Sequence, residues 1–184
     1  MPRRAERREE RREDRGPGGG HTGPTRYQMR QKLVSIGDDS WIENDRGEKV
    51  YKVDGKALRV RDTLIIKDRQ DREVAKVQTK VVRVKDSMEI EGPGGERLGI
   101  VKKALITPVR ERYTVKIGDG PDIDIQGNIL DHEYRFEVGR DRVAEVSKKW
   151  FRVRDTYGVE IDPGQNDVVI LAATVALDMM QGRG

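Results

Sequence analysis

From Tyr27 to Ile161, apolar and charged side chains alternate along much of this chain. Tyr113, Val115 and Ile117 are separated by Thr114 and Lys116, and Ile123 and Ile125 lie among Asp122, Asp124 and Gln126. Tyr134, Phe136 and Val138 alternate with Glu133, Arg135 and Glu137, and Phe151 and Val153 with Arg152 and Arg154. Successive side chains of a strand point to opposite faces, so this period predicts antiparallel strands with one buried and one wet face. Turn-forming groups separate the runs: Gly37-Asp38-Asp39, Asp45-Arg46-Gly47, Asp54-Gly55, Asp68 to Arg72, Gly92-Pro93-Gly94-Gly95, Gly118-Asp119-Gly120 and Gly139 to Arg142. That spacing predicts about ten to twelve short strands joined as hairpins. No sharp sequence repeat relates them; only the hairpin grammar recurs.

The last stretch breaks the alternation. Asp167-Val-Val-Ile-Leu-Ala-Ala-Thr-Val-Ala-Leu-Asp-Met-Met180 is apolar on nearly every face. Asn166 is a suitable N-cap, and Pro163-Gly164 ends any preceding strand. A helix apolar all round must be enclosed by protein or by lipid. Its length, about 21 Å, falls short of a hydrocarbon core of roughly 30 Å. Amphipathic strands that need a partner for their apolar face and a helix that needs a wrapper have one joint solution. The prediction is a mainly β fold: a closed antiparallel barrel of about twelve strands around one central hydrophobic C-terminal α-helix. Val168, Ile170, Leu171, Val175 and Leu177 are the expected core contacts of that helix. A sandwich with the helix on one side would leave Val169, Leu171, Ala173 and Ala176 facing water.

Composition sharpens this picture. Charged residues make up 38% of the 184 positions, with a net charge of +4. Seven Arg and five acids between Arg3 and Arg15 carry +2 of that, leaving too little for a dedicated nucleic-acid binder. In this segment like charges recur at i,i+4, as in Arg3/Arg7 and Glu6/Glu10, which disfavours a helix. Gly16 to Gly20 and Gly23-Pro24 follow as a flexible linker. Residues 1–25 are therefore expected to be a disordered tail, and residues 26–184 the barrel domain. The chain has no cysteine, which excludes disulfides, a thiol nucleophile and thiolate metal sites. No apolar segment follows Met1, so no secretory signal is expected, and a cytoplasmic protein with at most peripheral membrane contact is the matching expectation.

Several segments, in this order, resemble the LURP-one-related family, whose fold is shared with the Tubby C-terminal domain and the phospholipid scramblases. They are Tyr27 to Leu33, Ser35 to Asp39, Val50 to Lys56, Lys102 to Val115, Gly127 to Tyr134, Val143 to Phe151 and Arg154 to Ile161, followed by the terminal helix. The resemblance covers about residues 27–181 and implies a twelve-stranded barrel around a hydrophobic helix. Tubby-type domains bind phosphoinositide headgroups through basic surface residues, but no residues here match that headgroup motif. Plant members are linked to pathogen defence. Scramblase-type domains are linked to membranes and calcium, and their acidic segment before the helix implies Asp155, Glu160, Asp162 and Asp167 as calcium ligands. The spacing is not that of an EF-hand, because Tyr157 and Val159 stand where oxygen ligands are needed.

Other chemistry is sparse. Gly92 to Gly99 lacks the Lys-Ser/Thr ending of a P-loop and has Arg97 where a dinucleotide fingerprint needs its third glycine. Both it and Gly118 to Gly120 read as hairpin turns. His132 is the one histidine outside the tail, so any Ser-His-Asp relay would pass through it. Its expected role is structural, with the imidazole bonded to backbone at a strand start. Trp150 is expected in the barrel core. Lys102, Lys103, Arg110 and Arg112, with Lys148, Lys149, Arg152 and Arg154, would form an anion-binding patch if their strands are neighbours. The reading that follows is a non-enzymatic module, without cofactor, for an anionic ligand such as a phospholipid or phosphoinositide headgroup, or for a protein partner. One rival is a scramblase-like protein whose helix inserts in lipid; the other is a hydrolase using His132.

Overall fold

The computed structural model describes residues 23–31, 39–55, 63–79, 87–104, 112–151 and 153–182. The tail expected over residues 1–25 lies almost wholly outside them. Twelve strands follow in chain order. They are β1 (Thr25–Arg30), β2 (Ser40–Asn44), β3 (Lys49–Asp54), β4 (Thr63–Lys67), β5 (Glu73–Thr79) and β6 (Ser87–Glu91). Then come β7 (Arg97–Lys103), β8 (Arg112–Lys116), β9 (Ile123–Asn128), β10 (Glu133–Val138), β11 (Asp141–Ser147) and β12 (Thr156–Ile161). Each strand pairs antiparallel with its chain neighbours, and β1 pairs β12 from Thr25↔Ile161 to Arg30↔Thr156, closing the barrel. Closure leaves no strand edge open among them.

The alternation read from the sequence is the alternation of the walls. Tyr113 and Val115 of β8, Ile123 and Ile125 of β9, and Tyr134 and Phe136 of β10 are all buried inward. Among the described residues one α-helix, α1 (Asp167–Gln181), runs through the centre. Asn166 caps it as expected: its side-chain oxygen accepts from the Val169 amide at 3.2 Å. Ile170, Leu171, Val175 and Leu177 join the buried core, and Val168 packs against it half-buried. Thr174, the polar residue in mid-helix, donates its hydroxyl to the Ile170 carbonyl at 3.0 Å, so its burial leaves nothing unmet. Both ends of the helix are tied to the wall by tyrosine. The Tyr27 hydroxyl donates to Asp167 at the start, and the Tyr157 hydroxyl to Asp178 near the finish, each at 2.6 Å. Tyr27 and Tyr157 lie on β1 and β12, the two strands that meet at the closing seam.

Two expectations fail in the same place. Phe151 and Val153 were expected to alternate along a strand, but β11 ends at Ser147. The Ser147 hydroxyl accepts from the Lys149 amide and caps a short 3₁₀ turn, Lys148–Trp150. The chain then folds back over the outside of β12. Trp150 is accordingly not in the core. A Cβ on Gly158 would lie 2.8 Å from Trp150 Cε3 and 2.6 Å from Phe151 Cε2, so both rings press on the bare backbone of that glycine. Arg26 lies over the Trp150 ring, 5.4 Å from its centroid. This cover explains why β12 is buried on both faces along its whole length.

Candidate functional site

An up-and-down barrel has two ends, and here they differ in charge. At the end where α1 enters, five hairpin turns and the link from β12 to the helix carry eight acidic and four basic side chains. The opposite end, where α1 finishes, receives Lys102 and Lys103 at the end of β7 and Arg112 at the start of β8. Lys148, Lys149 and Arg154 lie there too, in the link from β11 to β12, and so do the acidic residues Asp131, Glu133 and Asp155. All six cations were singled out from the sequence, and the fold places all six at one end. Arg110 and Arg152 lie outside the described residues. The condition of neighbouring strands is not met, however: β9 and β10 stand between β8 and β11. The cations therefore form two groups on one rim.

Of the group on β7 and β8, Lys103 shares the inward face of Tyr113, whereas Lys102 and Arg112 stand on the outer wall. Lys103 Nζ lies 5.8 Å from the Tyr113 ring centroid, and the Tyr113 hydroxyl accepts from Gln181 Nε2 in the last turn of α1 at 3.0 Å. The group around Lys148 is organised by one carboxylate. Glu133, first residue of β10, accepts from the Ser147 hydroxyl at 3.0 Å and from the Lys148 amide at 3.1 Å, and pairs with Lys149 at 3.4 Å. It thereby joins the β9–β10 turn to the β11–β12 link. Next to it, His132 adopts φ +53°, a conformation costly for any residue with a side chain. Its Nε2 lies 3.1 Å from Asp178 Oδ1 and its ring stacks on Tyr157 with centroids 4.2 Å apart. The partner of the imidazole is thus the helix carboxylate and not backbone. Nδ1 is buried with no hydrogen-bond partner among the described residues, which fits a neutral His132 with its proton on Nε2, toward Asp178. Around Asp178, burial first and then the carboxylate charge push the Tyr134 and Tyr157 hydroxyls well above the ordinary tyrosine range. A relay would need a hydroxyl nucleophile on His132; among the described residues its ring bonds Asp178 and no hydroxyl.

The four carboxylates implied as a calcium set are spread out. Asp155 is exposed at the basic end, whereas Asp162 and Asp167 lie at the acidic end, a strand length away. Glu160, on the outer face of β12, pairs with Arg26 at 2.6 Å and Arg142 at 3.3 Å, and Arg142 also holds Asp162 at 3.0 Å. Asp167 accepts from Tyr27. Among the described residues, no group of three His, Cys, Asp or Glu side chains is arranged to hold a metal ion.

The comparisons with known proteins agree with the architecture. The family model described as LURP-one-related matches residues 25–178. The chain belongs to the LURP-one-related family. A crystal structure of a protein from Arabidopsis thaliana superimposes with a TM-score of 0.65 at 17% identity, covering 86% of this chain and 91% of the other. At that identity the likeness is one of fold. No curated protein matches the sequence. In this LURP-one-related barrel no helix among the described residues is long and apolar enough to cross a membrane.

Two features of the basic end were not legible beforehand. Leu130 is 66% exposed and Val153 59%, the exposed large apolar side chains of the described structure, and both stand at this end. A sequence signal existed for Val153 only. Lys149-Trp-Phe-Arg-Val-Arg-Asp155 shares its order of basic, apolar and acidic residues with Lys56-Ala-Leu-Arg-Val-Arg-Asp62 and Lys80-Val-Val-Arg-Val-Lys-Asp86. The strands that precede the three segments, β3, β5 and β11, all finish at the basic end.

Proposed function

We propose that this LURP-one-related barrel is a non-enzymatic binding module that takes an anionic ligand at its basic end. The observation that carries the reading is the gathering of Lys102, Lys103, Arg112, Lys148, Lys149 and Arg154 on one rim, opposite an end whose turns are net acidic. Such a separation of charge orients the molecule toward an anionic surface or headgroup before contact. The enclosed state of α1 supports a binding module over a scramblase-like protein that inserts its helix, since Ile170, Leu171, Val175 and Leu177 are satisfied within the barrel. The burial of His132 Nδ1, with no hydroxyl bonded to it among the described residues, supports a structural histidine over a general base.

The test is binding at low salt to inositol hexakisphosphate, by calorimetry, and to vesicles of phosphatidylcholine with phosphatidylserine, by sedimentation. The wild-type protein should bind at least one of these anions, weakly in high salt. Replacing Arg112, Lys148, Lys149 and Arg154 together by Ala should weaken that binding at least tenfold, each cation near an anionic surface contributing about 1 kcal/mol. A wild-type protein that ignores both anions, or a quadruple variant that binds as well as wild type, would overturn the reading.

A further inference from the structure

We infer that the ligand surface is an anionic lipid bilayer, and that Leu130 and Val153 are the two side chains that enter it. This rests on the proposed anion-binding role of the same end and goes further, by naming the partner and the mode of contact.

The argument starts from the turns that hold these residues. Leu130 sits in the β9–β10 turn, which is closed by the His132 amide donating to the Ile129 carbonyl at 3.1 Å. The Asn128 side chain also accepts from the Asp131 amide at 3.1 Å. Ile129 is 3% exposed, whereas its neighbour Leu130 points away from the core. Val153 sits at the tip of the β11–β12 link, where the Thr156 hydroxyl donates to its carbonyl at 2.7 Å and the Asp155 carbonyl accepts from the Gln31 amide at 2.8 Å. Each apolar side chain is thus held out in water by a hydrogen-bonded turn. Single exposed apolar residues are common on protein surfaces. Two on adjacent turns, linked through Glu133 and flanked by Lys148, Lys149 and Arg154, are a different matter. Basic side chains that reach lipid phosphates beside apolar tips that pass between them match the layered chemistry of a bilayer interface. The net acidic turns at the far end keep the opposite orientation unfavourable.

The absence of cysteine permits a clean test. Leu130→Cys, Val153→Cys and, at the acidic end, Arg140→Cys are each labelled with an environment-sensitive nitrobenzoxadiazole dye. They are then mixed with vesicles of phosphatidylcholine and phosphatidylserine. Dye at positions 130 and 153 should brighten, shift to the blue and be quenched by nitroxide-labelled acyl chains, while dye at 140 stays unchanged. The unlabelled double variant Leu130→Ser, Val153→Ser should lose on the order of tenfold in vesicle affinity while keeping its affinity for inositol hexakisphosphate. Vesicle sedimentation with no change at positions 130 and 153 would overturn the inference and leave the anion-binding reading standing. Binding of inositol hexakisphosphate without vesicle binding would do the same. Binding to neither anion would remove both.

Discussion

The two ends of the barrel solve different problems. At the acidic end the strands are joined by two to six residues, and the helix begins there under an Asn166 cap. Such turns fix register: Asn44, Asp68 and Gly92 each close a hairpin by paired backbone bonds, and Lys116 and Asp122 bridge the fourth. At the basic end the connections run from four to nine residues. The β9–β10 turn and the β11–β12 link carry the two exposed apolar tips, and the link also carries Lys148, Lys149 and Arg154. The contrast teaches that tight, register-setting turns gather at one end and longer connections at the other, with α1 as the rod between them. Loops released from setting register are free to carry recognition, the usual division between scaffold and site.

The most severe way to break this arrangement is to remove the rod. A chain ending at Pro163 loses ten buried side chains of α1, and each Val, Ile or Leu among them contributes roughly 1.5–3 kcal/mol by burial. That exceeds the usual margin of stability, so the truncated chain should show no cooperative thermal transition by circular dichroism. A truncated protein that melts like the whole one would mean the walls close without their filling. Deleting residues 1–22 should leave the melting curve nearly unchanged.

A finer comparison sets the two helix pins against each other. Asp167 lies in the first turn, where the helix dipole favours a negative charge. Asp178 lies in the last turn, where the dipole disfavours it, and two partners, the buried Tyr157 and the half-buried His132, offset that cost. Asp178→Ala leaves both partners unmet and should cost about 2–3 kcal/mol in urea unfolding, whereas Asp167→Ala should cost about 1 kcal/mol. Equal costs would mean that the ends do not differ in how they hold the helix.

What the sequence disclosed follows the same division. The period-two runs from Tyr113 to Val138 are set by local side-chain alternation, so wall and face could be read directly. The apolar girth of residues 168–180 demanded enclosure, and the barrel supplies it. Phe151 and Val153 show where the method stops. Their spacing is that of a strand, yet the Ser147 hydroxyl ends β11 and the bare Gly158 backbone offers a seat for the rings. Both are tertiary facts invisible to a window of neighbours. The basic residues were found by composition, but only the meander order shows that β9 and β10 split them into two groups. The calcium set fails for a related reason: a six-residue strand separates Asp155 from Asp162, and Arg26 and Arg142 already hold the outward carboxylate of Glu160.

The smallest effect is also the one that separates the ends most cleanly. Burial raises the hydroxyls of Tyr27, Tyr134 and Tyr157, with Asp167 beside the first and Asp178 beside the other two adding to it. A tyrosine held protonated in the folded state contributes fully below its unfolded pKa near 10. Above that pH the unfolded chain loses the proton first, so stability falls as pH rises. Each such residue should steepen the decline by about 1.4 kcal/mol per pH unit. Tyr27→Phe removes one of two contributions at the start of the helix, where burial and then the Asp167 charge raise the Tyr51 hydroxyl as well, and should flatten the decline between pH 10 and 12 by that amount. Tyr134→Phe with Tyr157→Phe should flatten it about twice as much, because it removes both hydroxyls around Asp178. The readout is the slope of unfolding free energy against pH, so a loss of stability common to all pH values does not disturb it. Slopes that match wild type in both variants would mean that these hydroxyls ionise in the folded barrel, and that neither carboxylate shapes its surroundings as the geometry requires.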